Sequence, residues 1–373
     1  MFISRRHLLK LAGLYALLLA IDGFSFPRQV KMGVSIKEQH LSNIVNLPHY
    51  RNGEFTNLTP TTTLTAKNNY YSSMKEIIFP TKGFTFPKTK LPTQKIDLTK
   101  LNLNQDILVW FGHSSFYLQV DGKKILVDPV FSDYASPVFF INKAFPMTNN
   151  YTINDLPKDI DVLIISHDHW DHLDYATVLA LKNKVKNIIC PLGVGAHFAY
   201  WHFSQEQIIE RDWFSEINLD DNLTIHLLPS RHFSGRLFEK NQTLWASFAI
   251  TTLHKKIFYS GDGGYGNHFA QIGKMFNGFD LAIMENGQYN TSWSQIHMMP
   301  EETAQATIDL QAQALLPVHC GKFSLSNHRW QEPFERIYIA SQNKPYYLLT
   351  PQLGEIIDLN NMQKSYYPWW STL

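Results

Sequence analysis

From residue 106 onward, short apolar runs alternate with polar clusters. Asp106–Phe111 closes on Gly112, His113, Ser114 and Ser115, and Lys124–Val127 closes on Asp128 and Pro129. Asp161–Ile165 ends at Ser166-His167, Leu223–Leu228 at Pro229-Ser230-Arg231-His232, and Lys256–Tyr259 at Ser260-Gly261-Asp262. Leu281–Met284 runs into Glu285, and Ala314–Val318 into His319. Each run has strand length, is rich in Val, Ile, Leu or Phe, and is bounded by Gly, Pro or polar residues, so each predicts a β-strand. Apolar residues at helical spacing predict helices over Tyr175–Val185 and Pro300–Leu310, the second opening on Pro-Glu-Glu. Strands mixed with helices in this way predict an α/β domain over 101–355, two sheets packed face to face with helices outside. The pattern does not fix strand order.

The flanks read differently. Arg5, Arg6 and Lys10 precede an uncharged run, Leu11 to Ile21, which is a basic start followed by a short apolar core. Eleven residues fall short of the roughly 20 that span a bilayer as a helix. Ser4-Arg5-Arg6-His7-Leu8-Leu9-Lys10 resembles a twin-arginine export signal, which carries folded proteins outward; an ordinary secretory signal is the other reading. No small-x-small cleavage site follows Ile21, so residues 1–26 are expected to act as an export signal or an anchor, placing the protein in the periplasm or on the inner membrane. Residues 27–100 show no lasting period and are expected to be an irregular extension. Residues 356–373 form an aromatic tail ending in Tyr366, Tyr367, Trp369 and Trp370.

Composition narrows the chemistry. A formal charge of +1 argues against nucleic-acid binding through phosphate neutralisation. Two cysteines, Cys190 and Cys320, are too few for a Cys-rich zinc module or a disulfide scaffold. Histidine, by contrast, occurs 16 times, so a metal site here is built from His and carboxylates.

The strongest candidate is His167-Asp168-His169-Trp170-Asp171-His172, an H-x-H-x-D-H run. His167 and His169, two apart in an extended loop, face one metal, and Asp171 and His172 serve a second beside it. His232, Asp262 and His319, at later strand ends, complete the set. The two oxygens of Asp262 suit a bridge between ions about 3.5–4 Å apart. Two such ions lower the pKa of a bridging water toward 7 and so generate a nucleophile at neutral pH. Asp128 suits either a partner that fixes the tautomer of a ligand His or a simple turn before Pro129.

With these motifs in view the chain resembles the metallo-β-lactamase superfamily of binuclear zinc hydrolases, and within it the N-acylphosphatidylethanolamine-hydrolysing phospholipase D group with its bacterial relatives. The likeness runs from about Met74 to Leu353 and rests on Trp110–Ser115, Val127–Ser132, His167–Asp174, Pro229–Arg236, Gly261–Tyr265, Ile296–Glu302 and Val318–Phe323. It implies an αββα sandwich. It also implies one zinc on His167, His169 and His232, and another on Asp171, His172 and His319, with Asp262 bridging; such a site also accepts iron or manganese. The implied activity is a phosphodiesterase of the phospholipase D type, and the same metal site would also serve a lactonase or an amide hydrolase.

On the substrate side, His297 lies just before a helix start, where the resembled group places a substrate-contacting His, and is expected to act with Asp262 in catalysis. His113 reads as structural rather than as a support behind a metal ligand, and Arg236 and Lys322 as ordinary surface charges, the other reading being cations offered to an anionic head group. Met284–Trp293 departs from the Gly-Ala-Tyr-type loop of the phospholipases and is expected to border the pocket. The aromatics at 366–370, and those at Phe198, Tyr200, Trp201 and Phe203, suit core packing or a lipid interface. Expected partners are a small-molecule or lipid substrate, a membrane surface contacted peripherally and, through the resemblance, a second copy in a homodimer.

Overall fold

A computed structural model describes residues 30–34, 44–65, 85–236 and 240–373. The expected export segment, residues 1–26, lies outside the described residues. The first strands, β1 (Tyr50–Arg51) and β2 (Glu54–Phe55), form a small hairpin within the N-terminal extension.

Two seven-stranded sheets follow. The first comprises β3 (Ile107–Trp110), β4 (Phe116–Val120), β5 (Lys123–Val127), β6 (Ile160–Ile164), β7 (Val185–Pro191) and β8 (Ile208–Arg211). The second comprises β9 (Glu216–Asp220), β10 (Leu223–Leu228), β11 (Ser247–Thr252), β12 (Lys256–Tyr259), β13 (Phe279–Glu285), β14 (Ala312–Val318) and β15 (Tyr347–Leu348). The last strand, β16 (Ile356–Asp358), returns to the first sheet, giving the orders β16-β3-β4-β5-β6-β7-β8 and β15-β14-β13-β12-β11-β10-β9. In each sheet three antiparallel pairings give way to three parallel ones.

Alternation along the strands explains the layering. Leu118, Val120, Ile125 and Val127 of the first sheet meet Ile225, Leu227, Phe248, Ile257 and Ile283 of the second in one core. The intervening residues point outward and are covered. Val178 and Leu181 of α1 (Tyr175–Leu181) and Phe198 of α2 (Gly195–Tyr200) pack on the first sheet. Phe269 and Ile272 of α3 (His268–Phe276), Ala304 and Ala306 of α4 (Pro300–Asp309) and Ile337 of α5 (Glu332–Ala340) pack on the second. Because both faces of each sheet are covered, the strands read as continuous apolar runs. The architecture is the αββα sandwich.

Each of the seven apolar runs lies in a strand, β3, β5, β6, β10, β12, β13 and β14 in turn. The helix expected over Tyr175–Val185 stops at Leu181, because Val185 opens β7 and pairs with Ile160. The residues expected to form a separate C-terminal tail belong to the domain. Ile356–Asp358 pair with β3, and Trp369 and Trp370 are buried against Phe334 of α5. Their aromatic rings therefore serve the core rather than a lipid surface. Replacing Trp370 with Ala should cost about 3–5 kcal/mol, the loss typical of a buried large aromatic. Urea unfolding measures it, and a change within experimental error would show that the tail adds nothing to the core.

Candidate metal centre

The polar ends of the strands meet along one rim of the sandwich. After β6 the chain makes a tight turn in which the amides of His172 and Leu173 both donate to the His169 carbonyl (3.1 and 2.8 Å). Within this turn His167 Nε2 lies 2.8 Å from His169 Nδ1, and His232, following β10, brings its Nε2 to 3.3 Å from the same atom. A second group gathers Asp171, His172 and His319 with His113. Asp262, following β12, faces both groups. Its Oδ2 lies 3.1 Å from His172 Nε2, 3.8 Å from His232 Nε2 and 3.9 Å from His167 Nε2, and its Oδ1 lies 3.1 Å from His319 Nδ1. The structure thus brings together all seven residues singled out as ligands.

The donors fit divalent metal ions. His319 Nε2 and Asp262 Oδ1 are buried without an aligned hydrogen-bond partner. A buried polar atom left in that state is costly, and a cation relieves it. Burial, helped by neighbouring imidazoles, holds His167, His232 and His319 well below the usual histidine pKa, so they stay neutral, as ligation requires. Burial pushes Asp171 and Asp262 the other way, yet the surrounding imidazoles hold both carboxyls well below the ordinary range.

A surrounding shell of hydrogen bonds fixes each donor. Asp128 Oδ2 holds His172 Nδ1 at 2.8 Å, and Asp128 Oδ1 accepts the Ser166 amide at 2.8 Å. The hydroxyls of Ser166 and Tyr259 also donate to Asp128. Asp128 is therefore more than a turn residue. His232 Nδ1 donates to the Ile296 carbonyl (2.9 Å), Ser114 Oγ meets His319 Nδ1 (3.0 Å), and His113 Nε2 meets Asp171 Oδ2 (2.8 Å). The last contact gives His113 a definite task, orienting a candidate ligand. Three of these residues, His113 (φ 53°), Asp128 (39°) and His319 (62°), hold the left-handed backbone, uncommon for non-glycine residues although His and Asp enter it more readily than most. The amide of His319 bonds the His113 carbonyl (2.9 Å), tying the two sheets together beside the donors.

Three residues stand apart from expectation. Arg236 is buried, not on the surface. It donates to the carbonyls of Asp168 and Leu173 (2.8 and 2.9 Å), clamping the His167–His172 turn from behind, and its guanidinium lies 3.6 Å from the Trp170 ring centroid. Lys322 is also buried. Its ammonium donates to the Val130 carbonyl, and burial lowers its pKa to about 8. Asn57, in the extension expected to be irregular, brackets His232 by accepting its amide (3.0 Å) and donating to its carbonyl (2.8 Å). No pattern in the sequence marked Asn57, because its partner lies 175 residues away.

Residues 123–320 match the family described as the β-lactamase superfamily domain. An uncharacterized protein of Mycobacterium tuberculosis is 36% identical over 327 residues, which is 87% of each chain. The chain belongs to the metallo-β-lactamase superfamily. Other relatives carry more specific names. The mitochondrial N-acyl-phosphatidylethanolamine-hydrolyzing phospholipase D of Saccharomyces cerevisiae is 32% identical over 243 residues, covering 62% of this chain and 51% of the yeast protein. Among solved structures, Igni18, a metallo hydrolase of Ignicoccus hospitalis, superposes with a TM-score of 0.51 at 21% identity over 68% of this chain and 98% of its own, and so shows the shared fold. Membership in the superfamily, with this donor set, makes the chain a metal-dependent hydrolase.

The donors open to a cavity of about 420 Å³. His169, Asp171, Asp262 and His319 form its floor, Phe233, Trp293, Ile296 and Leu325 its apolar wall, and Thr63 and Leu64 of the extension part of its mouth. His297 faces the cavity. Its Nδ1 is held 3.0 Å from Glu285, a fully buried carboxylate that also accepts the amides of Gly263 (3.0 Å) and Met298. Burial pushes the Glu285 carboxyl up to about 7, against the opposing pull of His297. The polar departure at Glu285 thus lies behind His297 rather than at the cavity surface, while Gln288 is at the surface.

Asp128→Asn keeps the shape of the shell but weakens the hold on His172. It should lower metal affinity about 10–100-fold with the fold retained. Competition against a chromophoric chelator measures it, and unchanged affinity would exclude an orienting role for Asp128.

Proposed function

We propose that the chain is a binuclear zinc phosphodiesterase of the phospholipase D type, acting on N-acylphosphatidylethanolamine-like amphiphiles. The observation that carries this reading is the composition of the 420 Å³ cavity, where an apolar wall of Leu64, Phe233, Trp293, Ile296 and Leu325 adjoins His297 and Lys240. An acyl chain suits the first, and a phosphodiester anion suits the second. The likeness to the yeast phospholipase supports the same choice.

His167, His169 and His232 would hold one ion, and Asp171, His172 and His319 the other, with Asp262 shared between them. When bound, such a pair brings the pKa of water toward neutrality and offsets the negative charge that develops on the substrate. The chain's own residues do the rest. Glu285 fixes the tautomer of His297, so that Nε2 is the ring nitrogen left for the substrate. Burial opposes a charge on the ring, but the Glu285 carboxylate raises the His297 pKa above its ordinary value, and in the imidazolium form Nε2 donates a hydrogen bond to a phosphoryl oxygen or its proton to the leaving oxygen. Trp293 and Phe233 exclude water from the apolar side.

Turnover of N-acylphosphatidylethanolamine, a lactone panel and a β-lactam by the zinc-loaded protein tests the reading. Phosphodiester turnover is expected to dominate. His297→Asn should cut kcat about 10²–10⁴-fold while metal content stays unchanged. Hydrolysis of lactones or amides without phosphodiesterase activity would overturn the substrate assignment.

A further inference from the structure

Three consecutive large apolar residues stand exposed at the tip of a loop following β5: Phe139 (69% exposed), Phe140 (36%) and Ile141 (41%). No other run of three is exposed among the described residues. The loop does not collapse onto the core, because its neck is tied shut. The amide of Ala135 donates to the Asn142 carbonyl (3.0 Å), that of Ala144 to the Asp133 carbonyl (2.8 Å), and Asn142 Nδ2 to the Ala135 carbonyl (3.3 Å). Ala135 is buried with Val130 and Phe323. Phe139 and Phe140 pack edge to face, with centroids 5.3 Å apart, so the tip is a preformed apolar wedge. Two phenylalanines and an isoleucine held in water on a closed loop forgo a large burial gain.

The chain itself indicates what covers them. Val30–Gly33 arrive at this same loop. The Trp201 indole donates to the Val30 carbonyl (2.7 Å), Lys31 Nζ donates to the Pro137 carbonyl, and Lys31 shares a cavity with Val138, Phe139 and Phe140. Upstream, the uncharged run Leu11–Ile21 is separated from Val30 by only eight residues, which reach at most about 30 Å. Too short to span a bilayer, an apolar segment behind Arg5, Arg6 and Lys10 has the composition of an interfacial anchor. Eight residues of chain thus join the apolar run to Val30–Gly33, which packs beside the wedge. Lys143 and Asp133, both exposed at the neck, carry opposite charges. Apolar insertion, not charge, therefore supplies the contact.

We infer that the Phe139–Ile141 tip inserts into a phospholipid bilayer and fixes one face of the protein against the membrane. The cavity beneath the tip is walled by Trp170, which Arg236 stacks on behind the His167–His172 turn, so the tip reaches the metal centre through the back of that turn. This orientation is independent of which bond the metal centre cleaves.

Phe139→Cys in the full chain, labelled with an environment-sensitive fluorophore, tests it directly. Cys190 and Cys320 are buried, so the label is confined to the tip. Leu253→Cys, 66% exposed in the turn between β11 and β12 at the opposite end of the strands, is the reference. With vesicles of phosphatidylethanolamine and phosphatidylglycerol, emission from position 139 should shift to the blue and be quenched by brominated acyl chains, while position 253 stays unchanged. Phe139→Ser/Phe140→Ser/Ile141→Ser, a surface change that spares the core, should reduce vesicle partitioning about tenfold or more. Equal emission at both positions would overturn the inference. So would a blue shift at 139 that needs no vesicles and grows with protein concentration, since a second copy would then be covering the tip.

Discussion

A buried carboxylate with no exposure to solvent, Asp128, sets the frame of this site. A charge in that position is tolerable only when hydrogen bonds surround it. The donors come from both sheets: the amide and hydroxyl of Ser166 after β6, the His172 imidazole, and the hydroxyl of Tyr259 at the end of β12. Satisfying Asp128 therefore brings the rims of the two sheets together where the metal donors lie. The left-handed backbones of His113, Asp128 and His319 are local costs that this contact and the His113–His319 backbone bond sustain. Each sheet alone would carry an incomplete set of ligands.

Around that frame the N-terminal extension takes a larger part than a wrapping segment would. Asn57 brackets the backbone of His232, Thr63 and Leu64 shape the cavity mouth, and the Lys31 and Met32 carbonyls accept from Arg236, which clamps the His167–His172 turn. Ligand geometry, cavity shape and membrane-side orientation thus share one stretch of chain. A change in the extension should therefore be felt at the metal centre, even though none of the seven candidate donors comes from it.

Much of this was legible in the sequence because the relevant signals are local. The H-x-H-x-D-H run and the habit of most apolar runs to close on His or Asp marked all seven candidate donors, and the strand runs followed from covered sheets that bury both faces. What was not legible depends on long-range partners. Arg236 and Lys322 look like surface charges until the fold encloses them. Trp369 and Trp370 look like interface residues until α5 covers them. Asn57 has no motif, and Glu285 showed only as an unexpected polarity. Conversely, Phe139, Phe140 and Ile141 resemble any core-forming run, and only the closed neck at Ala135 and Asn142 shows that they face outward.

The proposed chemistry requires two adjacent metal positions sharing Asp262. Metal content of the purified full chain, measured by mass spectrometry for the native protein and for His232→Ala and His319→Ala, tests this most directly. About two divalent ions per chain are expected for the native protein, and about one for each variant. A native protein with no bound zinc, iron or manganese, or a content that neither substitution alters, would contradict it.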